Sequence, residues 1–269
     1  MRARVKEPRP LGQAAVDLIL DAAELAEVRV AALQAVVDVP VDVCVQPLEG
    51  RRKRLFVADM DSTIIGCECL DELADFAGRK AEIAAITERA MRGELEFEGA
   101  LRERVAMLEG LSVTALQSAY DERVRLNPGA RTLVRTMAAN GTRCVLVSGG
   151  FTFFTARVAE AAGFHAQRAN TLGEGEGALT GLVGEPILGR EAKLAALTEE
   201  AGALGLELSA TMAVGDGAND LAMIKAAGLG IAYRAKPIVA AEADAKVDHA
   251  DLTALLHFQG YRAEEFVTD

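Results

Sequence analysis

The chain has 269 residues, 51% hydrophobic and 26% charged, which is enough apolar material for a packed core under an ordinary polar surface. A formal net charge of −11 excludes the broad basic face that nucleic-acid binding requires. Apolar stretches are broken by acids every few residues, so no membrane span is expected, and the initial MRARVKEPRP leads into no signal-peptide core.

Residues 1–52 read as a short N-terminal α/β segment whose role the sequence does not disclose. ELAEVRVAALQAVVD (24–38) predicts a helix, VDVCVQ (41–46) a strand after Pro40, and EGRRKR (49–54) a charged connector. LFVAD (55–59) is then a short apolar run that ends in an acid. A long interval free of strand signals follows, residues 67–126. Gly78, Gly93 and Gly110 stand there as helix-ending glycines, and Ser112 as the N-cap of VTALQSAYDERV. Four helices forming a small cap are expected in this interval. Beyond it, CVLVSGG (144–150), MAVGDG (212–217) and LGIAY (229–233) repeat the pattern of an apolar run with a polar or glycine-rich end. NTLGEGEGALTGLV (170–183) reads as a hairpin with a glycine-rich turn. Near-continuous apolar runs between helical patterns indicate an α/β fold with a parallel sheet covered on both faces. The expected division is a core of residues 53–66 and 127–269, interrupted by the cap at 67–126. Ligands of such sheets gather at the carboxyl ends of the strands, where the functional-looking segments fall.

DMDST (59–63) places Asp59 and Asp61 two apart at a strand end, so one carboxylate can attack while the other handles protons. A carboxylate attacking a phosphate dianion meets charge repulsion, which Mg²⁺ held by carboxylates and a backbone carbonyl removes. VSGGF (147–151) offers the Ser148 hydroxyl and the N–H groups of Gly149 and Gly150 at a strand-to-helix junction suited to phosphate. VGDGAND (214–220) adds Asp216, Asn219 and Asp220, and LGREAKLAAL (188–197) adds Lys193. Alone, each has an ordinary explanation: a solvated turn, a tight βα turn, a nucleotide loop, a surface lysine. Their joint order is what carries chemistry. The four cysteines, Cys44, Cys67, Cys69 and Cys144, form no disulfide framework or paired metal-ligand spacing and read as structural residues of a cytoplasmic protein.

In that order the motifs resemble the haloacid-dehalogenase-like (HAD) phosphatase superfamily: D-x-D-x-[TV], a serine at a strand end, a lysine and G-D-x-x-N-D, over residues 55–235. The resemblance implies a Rossmann-like core and a cap. It also implies Asp59 as nucleophile, Asp61 as acid and base, and Mg²⁺ on Asp59, the Asp61 carbonyl and Asp216. Ser148, Gly149, Lys193 and Asn219 would hold the phosphate, and Asp220 would steady Lys193. ITERAMRGELEFEGALRERV (86–105) and GDGANDLAMIKAAGLGIAY (215–233) are similar to the phosphoserine phosphatase family. In that family the positions matching Glu68, Met91, Phe97 and Arg104 contact the substrate, a small phosphorylated amino acid. A zwitterion needs an acid for its ammonium and a cation for its carboxylate, and Arg104 offers a planar fork. The expected activity is therefore Mg²⁺-dependent hydrolysis of phosphoserine through an aspartyl-phosphate, the closing step of serine biosynthesis. The alternative is a phosphatase or phosphotransferase for another small phosphomonoester, such as phosphohomoserine or phosphothreonine. A receiver-like phospho-acceptor is disfavoured by Asp61, Lys193 and the cap, and a dehydrogenase by the missing G-x-G-x-x-G. Monomer and homodimer are both open.

Overall fold

The computed structural model of the protein describes residues 4–21, 24–91 and 94–268. The N-terminal segment holds an antiparallel hairpin, β1 (Arg4–Pro10) and β2 (Val16–Asp21), and a helix, α1 (Leu25–Ala35). The hairpin is a departure from the sequence reading. So is 41–46, which is extended but joins no strand ladder among the described residues. Side chains tie this segment to the core instead. Asp42 accepts from the backbone N–H groups of Asp248, His249 and Ala250, and Gln46 Nε2 donates to Phe258 O. These side-chain bonds hold the segment against the core in place of a strand ladder.

The core is a six-stranded sheet of β3 (Leu55–Ala58), β4 (Arg143–Phe151), β5 (Ala166–Asn170), β8 (Thr211–Gly215), β9 (Leu229–Tyr233) and β10 (Ala245–Val247). Their order is β10-β9-β8-β3-β4-β5, every pairing parallel. Strand β3 sits in the middle and is buried on both faces. Successive side chains of a strand point to opposite faces. Thus Phe56 and Ala58 join one apolar cluster while Leu55 and Val57 join another. The first cluster includes Leu133, Val134 and Met137 of α6 (Ala130–Ala139), Phe154 and Val158 of α7 (Thr152–Ala162), and Leu255 and Leu256 of α11 (Ala254–Phe258). The second takes Ala196 and Leu197 of α8 (Arg190–Ala203) and Met223 of α9 (Leu221–Ala226). Helix α10 (Pro237–Glu242) places Val239 beside Ala232 of β9. This is a Rossmann-like α/β sheet with helices on both faces.

Between β3 and β4 the chain forms α2 (Cys69–Phe76), α3 (Lys80–Met91), α4 (Phe97–Ala106) and α5 (Val113–Arg123). Gly78 follows α2 with φ of 64°, a conformation that suits a residue without Cβ. Gly110 has a φ of 80° in the link to α5, and Gly93 lies outside the described residues. Ser112 caps α5 by accepting from Thr114 N at 3.2 Å. The second insertion is a hairpin of β6 (Leu172–Gly175) and β7 (Ala178–Val183). It is fastened to the α4–α5 link by backbone hydrogen bonds from Gly110 to Leu179 O, from Leu179 to Leu111 O and from Val113 to Gly177 O. No helix among the described residues is long and apolar enough to cross a membrane.

Candidate active site

The register of the sheet assembles the site. Ala58 is level with Leu146 on one side and Val214 on the other, so β3 and β8 end together while β4 runs on to Phe151. Asp59 lies just past the end of β3, where its N–H donates to Val214 O at 3.0 Å. Ser148 lies in β4 two residues past Leu146, where the β4–β5 register is irregular, and Asp216 lies just past β8. Residues up to 157 apart in the chain, counted from Asp59 to Asp216, thus share one crevice.

Its floor is a buried chain of charges. Lys193 Nζ lies 2.6 Å from Asp59 Oδ1 and 2.5 Å from Asp220 Oδ1. All three side chains are at least nine-tenths buried. The other Asp220 oxygen accepts from the N–H groups of Asp216 (3.2 Å) and Gly217 (3.0 Å). Position 215 must be glycine for this to fit, because a Cβ there would stand 2.4 Å from Asp220 Cγ. Asp216 Oδ1 accepts from Thr63 Oγ1 at 3.2 Å. Carboxylate oxygens of Asp59, Asp216 and Asp220 lie within 4.8 Å of one another, a donor set of hard oxygens that fits a divalent cation. Both Asp220 oxygens are already engaged, which leaves Asp59 and Asp216 as the carboxylates free to take one.

Burial opposes the charge on Lys193, but Asp59 and Asp220 overcome it and hold the ammonium above its ordinary pKa. At Asp59 burial pushes the pKa well up, as does the charge of Asp220, while Lys193 opposes. These two shifts point opposite ways on whether the pair is ionic. The 2.6 Å contact with an ammonium that Asp220 also holds decides for an ion pair, since an unpaired buried charge is the costlier state. Asp61 is different. Burial raises it above the usual carboxylate range, against hydrogen bonds from Cys69 N–H and the Ser148 hydroxyl. It faces no cation as close as Lys193 is to Asp59, and it is poised to carry a proton.

Asp61 Oδ1 accepts from Cys69 N at 2.9 Å and Oδ2 from Ser148 Oγ at 3.1 Å. Ser148 Oγ in turn accepts from Gly150 N at 2.8 Å. Ser62 adopts φ 56°, uncommon for a residue with a side chain, and donates to Glu68 Oε1 at 2.6 Å. Although Glu68 is exposed as a residue, burial of its carboxylate, with the charge of Asp61, pushes its pKa up to about 7. Half-buried Asn219 folds back over Gly217.

From the cap, the Phe97 ring lies over two glycines: its Cζ is 3.4 Å from where a Gly149 Cβ would stand, and its Cδ1 is 3.6 Å from that of Gly189. Arg104 is half-buried and donates from Nε to Ala100 O at 3.2 Å. Burial lowers its pKa, against the negative charges of Asp71 and Glu68 nearby. The side chain of Met91 lies outside the described residues. Four residues that sequence reasoning did not single out shape the site. Ser62 and Thr63 stand inside DMDST itself, where attention to the hydroxyls between the acids would have found them. Asn127 Nδ2 donates to Thr63 O (2.8 Å) and Ile65 O (3.1 Å), and Asn170 bridges two loops. Neither amide carries a sequence signal.

A parallel sheet with paired carboxylates, a buried lysine and a metal-compatible cluster at its carboxyl ends defines a hydrolase. Residues 56–225 match the family model for haloacid dehalogenase-like hydrolases, and the chain belongs to that family. It is 47% identical over 221 residues to a phosphoserine phosphatase of Polaromonas sp., covering 80% of this chain and 94% of that one. A HAD family hydrolase from Salmonella enterica serovar Typhi superposes with a TM-score of 0.85 at 29% identity, over 95% of this chain and 89% of the other. A structure described as the phospho-aspartyl intermediate analogue of phosphoserine phosphatase gives 0.71 at 38% identity, over 77% and 99%. The chain is a phosphatase, related to the phosphoserine phosphatases.

Proposed function

We propose that this phosphatase hydrolyses O-phospho-L-serine to L-serine and phosphate, the last step of serine biosynthesis, in the cytoplasm and with Mg²⁺. What carries the assignment is the buried Asp59–Lys193–Asp220 chain facing Asp61 and Ser148, with Glu68 and Arg104 on the cap side. The names of the relatives, phosphoserine phosphatases, support this choice of substrate within that chemistry. Residues 53–66 and 127–269 act as the hydrolase core, 67–126 as its cap, and 1–52 as a short appended segment.

Asp59 attacks phosphorus through its free oxygen, forming a C–O–P link as the bond to the serine oxygen breaks. Asp61, as general acid, gives that oxygen its proton. Asp61 then takes a proton from water, whose oxygen displaces Asp59 and releases phosphate. Lys193, the Ser148 hydroxyl and Gly149 N–H hold the non-bridging oxygens, Asn219 orients the group, and Asp220 fixes Lys193. Asp59, Asp216 and the Asp61 carbonyl would hold Mg²⁺, which when bound neutralises the charge between carboxylate and phosphate. Glu68 takes the ammonium and Arg104 the carboxylate of the amino acid, while Phe97 and Met91 exclude water.

Phosphate release from phosphoserine, phosphothreonine, phosphohomoserine and p-nitrophenyl phosphate, with Mg²⁺ and with a chelator, tests this. The expected result is a kcat/KM highest for phosphoserine and abolished by the chelator. A higher value for one of the other phosphoamino acids would transfer the assignment to it.

A further inference from the structure

Asn170 ends β5, two places along the sheet from β3, and touches none of the charged groups described above. It is 2% exposed, yet its amide is fully engaged. Nδ2 donates to Gly149 O at 2.9 Å and to Leu188 O at 3.3 Å, and Oδ1 accepts from Leu188 N at 2.6 Å. Gly149 follows Ser148 in the irregular end of β4. Leu188 precedes Gly189, the residue before α8, whose first turn carries Lys193. One buried amide therefore joins the end of β4 that carries Ser148 to the segment leading into the Lys193 helix, the two stretches assigned above to holding phosphate. The same two stretches supply Gly149 and Gly189, on which the Phe97 ring lies.

We propose that Asn170 is a positioning residue for phosphate binding, fixing the separation between the Ser148–Gly149 end of β4 and the start of the Lys193 helix. This rests on the phosphatase chemistry of the floor and not on the identity of the amino acid. Among the described residues no other side chain hydrogen-bonds to both segments, and the Phe97 ring only rests against them. The contacts also need an amide: a carboxylate accepts from Leu188 N–H but cannot donate to either carbonyl, and it sets two oxygens against oxygens. Losing a buried donor pair of this kind moves an equilibrium by about tenfold.

Asn170→Asp, close to isosteric, is the first variant, and Asn170→Ser the second should the first fail to fold. Inorganic phosphate is the probe, as a competitive inhibitor of p-nitrophenyl phosphate hydrolysis, well below the unfolding temperature. The wild type's own turnover of phosphoserine and of p-nitrophenyl phosphate is measured first, so a wrong amino-acid assignment shows there and leaves this test intact. The expected result is an inhibition constant for phosphate raised about tenfold, with KM raised in parallel for both substrates. A variant whose kcat falls while KM and the inhibition constant stay put has only lost folded enzyme, and overturns the proposal. So do constants that all match the wild type.

Discussion

The floor and the roof of the crevice are built on different physics. On the floor, Asp59, Lys193 and Asp220 are buried and locked to each other at 2.5–2.6 Å. On the roof, Arg104 is half-buried and donates to a carbonyl of its own helix, Glu68 accepts from the Ser62 hydroxyl, and Phe97 meets the floor through an apolar ring. Buried charges hold geometry before substrate arrives, which suits a reaction whose transition state must be met by charges already in place. Half-free side chains suit the recognition of a small group that enters and leaves. On the proposed reading, chemistry belongs to the sheet and selectivity to the helices.

The strongest attempt to break that division is Asp59→Asn. Turnover of every substrate should fall on the order of 10⁴-fold or more, with thermal unfolding of the protein retained; substantial residual turnover would mean water attacks directly. Next is Lys193→Met, which leaves Asp59 and Asp220 buried without their cation. Calorimetry in chelator should show a loss of about 3–5 kcal/mol, against near-neutrality if the chain of charges were ornamental. Arg104→Ala sharpens the roof: kcat/KM for phosphoserine should fall about 10²-fold, as expected for a lost charge-assisted bidentate contact, with p-nitrophenyl phosphate changed only slightly. Equal losses would remove the carboxylate contact.

The smallest effect concerns pH. Glu68 is raised to about 7, so it is neutral below that value and a carboxylate above it. Binding an ammonium requires the carboxylate, so kcat/KM for phosphoserine should drop about tenfold for each pH unit below that midpoint. Glu68→Gln should flatten this difference between phosphoserine and p-nitrophenyl phosphate. The same shift means the folded state binds the extra proton, so stability should decline as pH rises from the ordinary carboxylate range through 7.

Much of the floor was legible because each strand that feeds it ends in residues with few other uses: an acid pair, a serine before two glycines, an aspartate between glycines. Strand β5, AQRAN, was not legible. It is an edge strand, mostly half-buried, and lacks the apolar run that marked its neighbours. The first hairpin was missed for a related reason, since RVKEPRP carries two prolines and alternating charges and shows no strand pattern. Conversely VDVCVQ alternates as a strand should, but Asp42 and Gln46 anchor it by side chains and no ladder forms. Local pattern reports what a segment can do, and the partner that arrives in three dimensions decides. Asn170 is the extreme case. A lone amide before a threonine says nothing until β5 carries it between two loops.

The fastening of the α4–α5 link to the β6–β7 hairpin also bears on how the molecule is made. Leu179 follows Gly110 by roughly 70 positions, and at about 5–20 residues per second on the ribosome several seconds pass before the hairpin emerges. Until then the nascent helices carry donors at 110 and 113 that only water can satisfy. They gain their final hold only once the polypeptide has grown well past them.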